Sequence, residues 1–111
     1  MLPKSNRLQT KDIGLLFKKG QSLHSPLFSL RFLYKKGESR FTIIVPNKVS
    51  KKANIRNLFK RRVRNIIYKN LKNIKTGYYI AVFLKPEVRD KKSNELESDI
   101  IGLFKKANLL N

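Results

Sequence analysis

The residues of this sequence whose types and spacing support chemistry are its lysines and arginines. That chemistry is the binding of polyanions, not the making or breaking of bonds. Eleven of them fall between Lys48 and Lys75, and no Asp or Glu occurs from Ser39 to Pro86. Arg56, Lys60 and Arg64 stand at i, i+4 and i+8, so on a helix their tips form a ladder along one side. Lys and Arg neutralise phosphates, and Arg contacts them in a bidentate fork. Lys48, Lys51 and Lys52 lie just upstream, near the start of the same helix, an end that favours anions. Arg61 extends the cationic side, and Asn57 beside it can hydrogen-bond a base edge or a 2′-hydroxyl, or serve as a solvated or capping residue. An ordinary solvated face mixes both signs of charge. This one does not, so its counter-charges are expected from a partner.

The inventory for catalysis is thin. His24 is the single histidine and lies in a Ser-rich loop with no carboxylate beside it. Five of the seven acidic residues fall in 86–111, and Asp12 and Glu38 are the others. Two-metal nucleases need clustered carboxylates, and none is apparent. No phosphate-binding glycine loop, nucleophile elbow or zinc spacing is present. With no cysteine there is neither a disulfide framework nor a thiolate metal site. Aromatics on a sheet are the second ingredient of single-strand recognition, because bases stack on them. Phe28, Phe32 and Tyr34 are candidates, with an ordinary packed sheet face as the equal alternative.

The elements that must hold these residues follow from pattern. A chain of 111 residues, 41% hydrophobic, reads as one folded domain spanning 1–111. Its net charge is +19, and the excess lies entirely in residues 1–85. A field of that sign attracts RNA or DNA first and a membrane surface less. No apolar run approaches the roughly 18 residues of a membrane span, and MLPKSNRLQTKD lacks the apolar core of a signal peptide. A cytosolic protein is expected.

Residues 1 to 9 read as an extended arm. Thr10 or Asp12 is expected to cap a short helix running to Lys19, with Ile13, Leu16 and Phe17 on one face and Gly20 as its stop. Residues 26 to 35 alternate, with Phe28, Leu30, Phe32 and Tyr34 on one side and a mixed set on the other. A turn at Gly37 leads to a β-branched strand over 40–47, and the two strands are expected to pair as an antiparallel hairpin. Residues 53–74 form the basic helix. On a 100° wheel Ile55, Phe59, Val63, Ile66 and Ile67 gather opposite Arg56, Asn57, Lys60, Arg61 and Arg64. YYIAVFL, 78–84, is apolar on both sides, as a central strand covered on both faces would be. Ser93 is the expected N-cap of a last helix with Leu96, Ile100, Leu103, Phe104 and Ala107 along one stripe and charges arranged as the helix dipole favours.

The basic segment NKVSKKANIRNLFKRRVR resembles the signature of the protein subunit of bacterial ribonuclease P, a stretch of the type KKxxKxAVxRNRxKRxxR. It matches at Lys48, Val49, Lys51, Ala53, Arg56, Asn57, Lys60, Arg61 and Arg64. The flanks are similar too: the segment from Asn6 to Gly20, FSLRFL from Phe28 to Leu33, GYYIAVFLKP from Gly77 to Pro86, and NELESDIIGLFKKA. The sequence departs from the pattern at Leu58, where the second Arg of the triplet usually stands, and at Ser50, Asn54 and Ile13.

The resemblance implies an α/β (α+β) two-layer sandwich. Its four-stranded sheet carries an N-terminal helix, a long basic central helix and a C-terminal helix. It also implies a left-handed crossover around the basic helix, against the usual rule for parallel units. It implies a subunit of ribonuclease P, partnered by the catalytic RNA and by precursor tRNA, with no membrane or small-molecule partner. The RNA would remove the 5′ leader using Mg²⁺, with no cofactor on the protein itself and no protein catalytic residue. By position, Lys48, Lys51, Lys52, Arg56, Asn57, Lys60, Arg61 and Arg64 would face the catalytic RNA. Phe17, Phe28, Phe32 and Tyr34 would line or border a leader cleft between the first helix and the sheet. A ribosomal or general structured-RNA-binding protein would suit the same charge distribution, and an autonomous metal-dependent nuclease suits it poorly.

Overall fold

The computed structural model describes Leu8 and residues 10 to 111. The arm expected over 1–9 otherwise lies outside the described residues. The elements run in the order α1 (Thr10–Lys19), β1 (Gln21–His24), β2 (Phe28–Tyr34), β3 (Arg40–Ile44), α2 (Ala53–Lys69), β4 (Tyr78–Leu84) and α3 (Ser93–Lys106). Short 3-10 turns follow α2 and β4, at Leu71–Asn73 and Pro86–Asp90. This is an α+β fold of three helices on a four-stranded mixed sheet.

The sheet order is β1-β2-β4-β3. β4 is the central strand, pairing antiparallel with β2 through Phe28↔Leu84 and Tyr34↔Tyr78, and parallel with β3 through Phe41↔Ile80. The hairpin expected between β2 and β3 is therefore absent, because β4 lies between them. The turn chemistry was read correctly, since Lys36 and Gly37 have φ of 62° and 102° and reverse the chain. But an apolar strand such as YYIAVFL buries both its faces only with a neighbour on each edge, and that demand decides the pairing. α2 is the crossover between the parallel strands β3 and β4. The strand β1, polar and mostly exposed, carries no periodic signal and was not expected.

One face of the sheet, with Phe28, Leu30, Phe32, Phe41, Ile43, Ile80, Val82 and Leu84, packs against α2 and α3. α2 contributes Phe59, Val63, Ile66 and Ile67, as its wheel requires, with Ile55 half-buried beside them. Each such fully buried large side chain stabilises the fold by about 1.5–3 kcal/mol. The opposite face is covered in part by α1, whose Leu16 is fully buried. Gly20 ends α1 for a steric reason. A Cβ there would come within 2.4 Å of the Leu16 carbonyl oxygen and 3.2 Å of that of Phe32.

The expected helix caps were not found. Thr10 and Asp12 both lie inside α1, where Asp12 forms an ion pair with Arg40 at 3.7 Å. Ser93 is the first residue of α3 and Lys92 is the cap. There the Lys92 N–H donates to the Glu95 carboxylate at 2.8 Å. Glu95 satisfies the exposed end from inside the helix, so no side chain at Ser93 is needed for it.

Candidate nucleic-acid interface

α2 sets the site. Its seventeen residues carry no acidic group in the first turn, and Lys52 begins it in extended conformation without a side-chain cap. With Phe59, Val63, Ile66 and Ile67 locked into the core, rotation about the helix axis is fixed. Arg56, Lys60 and Arg64 then fall at the flank of the helix, half-buried along their stems, while Asn57 and Arg61 are exposed. Lys48, Lys51 and Lys52 are exposed in the preceding loop. Ser50 in that loop accepts the Arg56 guanidinium through its carbonyl at 2.9 Å, and its hydroxyl oxygen accepts the Lys52 N–H at 3.2 Å. All eight cationic and amide residues singled out from sequence therefore lie on one continuous surface of loop and helix.

Arg56, Asn57 and Lys60 also border a groove of about 310 Å³ against the edge strand β3, where Thr42, Ile43, Ile44 and Val45 form the other wall. The cationic comb thus lies along the β3 edge of the sheet, at which Thr42 and Ile44 share a face with Ala81 and Phe83 by register and Ile43 turns to the other.

The carboxylates of the described residues do not neutralise this surface. Among the described residues, ion pairs join Arg40 to Asp12 and Lys69 to Glu97, the latter at 3.2 Å, and neither involves a cation from Lys48 to Arg64. Glu97 is held below the usual carboxylate range. The Asn70 amide bonded to it at 3.1 Å is the larger cause, opposed by partial burial and supported by Lys69.

The aromatics divide. Phe28 and Phe32 are 0% and 7% exposed within the core between the sheet and α2–α3, so neither lines a cleft on the α1 side. Tyr34, 61% exposed, continues their face of the sheet past the end of the core and is likewise away from α1. The alternation in β2 correctly grouped these three. It does not say which face of the sheet they occupy. Phe17 alone among the four stands at the α1 side, 47% exposed. Its ring meets Phe83 at 5.8 Å and lies under the Arg31 guanidinium at 5.1 Å, and Arg31 also donates to the Phe17 carbonyl at 3.1 Å.

Arg31 and Phe83 were not singled out from sequence, although both sit at the alternate positions of their strands. Tyr68, 51% exposed, was also missed. It stands at i+4 from Arg64, i+7 from Arg61 and i+11 from Asn57, so the wheel that groups the cations places it in their stripe. His24 is exposed and shares a hydrogen bond with Ser29 at 2.9 Å. Among the described residues no three of His, Cys, Asp or Glu are grouped so as to hold a metal ion. No helix among those described is long and apolar enough to cross a membrane.

The family model for ribonuclease P matches residues 2–108. The ribonuclease P protein component of Pseudanabaena sp. (strain PCC 6903) is 34% identical over 99% of this chain and 97% of its own. The chain belongs to the ribonuclease P protein family. It is a protein component of the ribonucleoprotein enzyme that processes tRNA. The fold agrees with solved ribonuclease P proteins. That of Thermotoga maritima superposes with a TM-score of 0.82 at 30% identity, covering 90% of this chain and 96% of that one. That of Staphylococcus aureus gives 0.87 at 23% identity, covering 97% and 100%, a likeness of fold.

Proposed function

We propose that this chain, as a single ribonuclease P protein domain, grips the catalytic RNA through Lys48, Lys51, Lys52, Arg56, Asn57, Lys60, Arg61 and Arg64. The 5′ leader of precursor tRNA then lies on the α1 side of the sheet, against Phe17, Phe83 and Arg31. The observation that carries this reading is the comb of α2 cations left without carboxylate partners among the described residues. Such a surface releases counterions from a polyanion and gains affinity by doing so. On this reading the two RNA strands lie side by side across β3, where their mutual repulsion would be greatest without the cations between them. The phosphodiester is cleaved by the RNA subunit with Mg²⁺ held by RNA. The protein's part is to position and to neutralise. Its place is the cytoplasm, where tRNA precursors are processed.

Reconstitution tests this: protein alone, catalytic RNA alone, and both, each with precursor tRNA across a Mg²⁺ titration. The reading expects no cleavage by the protein alone and a lower Mg²⁺ requirement when both are present. An unchanged Mg²⁺ requirement contradicts it.

A further inference from the structure

Of the exposed large hydrophobic side chains, Tyr34 is the most open, and it is firmly seated. Its ring packs edge-on against Tyr78, centroid to centroid at 5.3 Å. It also lies over Gly77, whose φ is +92°, and a Cβ at that position would come within 2.8 Å of the Tyr34 Cε1. The ring therefore fills the space of a missing side chain. The backbone beneath it is tied down, because the Gly77 carbonyl accepts the N–H groups of both Lys35 and Lys36, at 2.6 and 3.1 Å. The Ser39 hydroxyl donates to the Lys75 carbonyl at 2.8 Å and closes the corner. A tyrosine held this rigidly, yet 61% exposed, presents a flat apolar surface to solvent at little further entropic cost on binding.

We infer that this corner is a second RNA contact, at which an unstacked base of the catalytic RNA lies on the Tyr34 ring while flanking phosphates meet Lys35 and Lys36. The chemistry of the surroundings selects that partner. Lys35, Lys36, Lys72 and Lys75 occupy the adjoining chain, against one carboxylate, Glu38. Base stacking on an aromatic combined with cationic contacts is how single-stranded segments are held. The corner also follows the cationic helix along the chain: α2 runs through Tyr68 and Lys69 into the 3-10 turn with Lys72, and on through Lys75 to Gly77. It faces away from α1, so the leader lying against Phe17 does not reach it. The inference rests on the reading that the outward face of α2 meets the catalytic RNA, and it extends that footprint past the helix end.

The test is equilibrium binding of the full chain to the catalytic RNA over a series of salt concentrations, with folding of each variant checked by circular dichroism. Tyr34→Ala and Tyr34→Leu are expected to weaken binding roughly 5- to 100-fold at an unchanged salt slope, because stacking releases no counterions. Tyr34→Phe is expected to stay within about twofold, since the π face is kept. Lys35→Ala with Lys36→Ala should shallow the log–log slope by about 1.4 to 1.8. The leucine variant covers Tyr78 and Gly77 as the tyrosine does. Wild-type binding by Tyr34→Leu or Tyr34→Ala therefore overturns the inference, and the α2 reading stands if Arg56→Ala with Lys60→Ala is still impaired. If that double variant is unimpaired as well, the α2 reading falls with it.

Discussion

The guanidinium of Arg56 reaches back six residues to donate to the carbonyl of Ser50 at 2.9 Å. One hydrogen bond thereby fastens the lysine-bearing loop to the first turn of α2, and the cations of both are presented as one surface before any RNA arrives. A lysine at this position keeps the charge and loses the planar fork. Arg56→Lys is expected to preserve the salt slope of RNA binding while lowering affinity about two- to tenfold, the equivalent of a net hydrogen bond. Hydrogen exchange at 50–52 should speed up in the same variant. Unaltered exchange there would show that the loop is ordered by something else.

Phe28 and Phe17 should behave oppositely. Phe28→Ala or Phe32→Ala empties a filled core and is expected to cost about 3–5 kcal/mol in chemical denaturation. Phe17→Ala removes a ring at the surface, and its effect on stability should be about 1 kcal/mol or less. Only the latter should reduce the preference of the reconstituted enzyme for leader-bearing over leaderless tRNA. Loss of that preference in a stably folded Phe32 variant would contradict the assignment of faces.

These two residues also show what sequence could carry. Periodicity grouped Phe28, Phe32 and Tyr34 on one side of β2, and the register bears that grouping out. The side was another matter, because β2 and β4 are covered from both directions and an aromatic suits either layer. The same two-sided apolarity made 78–84 legible to the residue as a strand, and its demand for two neighbours is what separated β2 from β3. Turn chemistry at Gly37 is local, whereas strand order is a property of the whole sheet. The α2 face was readable because a charge run with no anions and a 3.6-residue period both point to one geometry. Arg31 was not, since a single arginine in a strand looks like any solvated residue until Phe17 is seen beneath it.

Gly20→Ala tests how α1 is seated. The added methyl would press on the Leu16 and Phe32 backbone carbonyls, neither of which can swing aside as a side-chain tip can. A loss of about 1–3 kcal/mol is expected, of the size seen for overpacking. Leader discrimination should fall with it, because α1 and Phe17 would be pushed from the sheet. A variant as stable as the parent would mean that α1 has room to shift.

Glu97 links α3 to the end of α2 and gives the fold an acid-sensitive contact. Its carboxyl is depressed chiefly by the Asn70 amide and then by Lys69, against the opposing effect of burial. A depressed group contributes stability that is complete above its unfolded pKa and is lost as pH falls through its folded value. The wild-type chain should therefore lose more stability than Glu97→Gln between neutral pH and about pH 3. Parallel stability curves for the two proteins would remove this contact from the account.

The central claim, that the flank of α2 is where the protein meets RNA phosphates, is tested most directly by the salt dependence of binding to the catalytic RNA. Arg56→Ala combined with Lys60→Ala removes two cations that are half-buried at the flank of α2 and outside its core stripe, and circular dichroism should report an intact fold. The log–log slope of affinity against salt is expected to become shallower by about 1.4 to 1.8, the release of two fewer counterions. A slope equal to that of the unmodified protein would contradict the claim, because it would mean that no phosphate lies at this face.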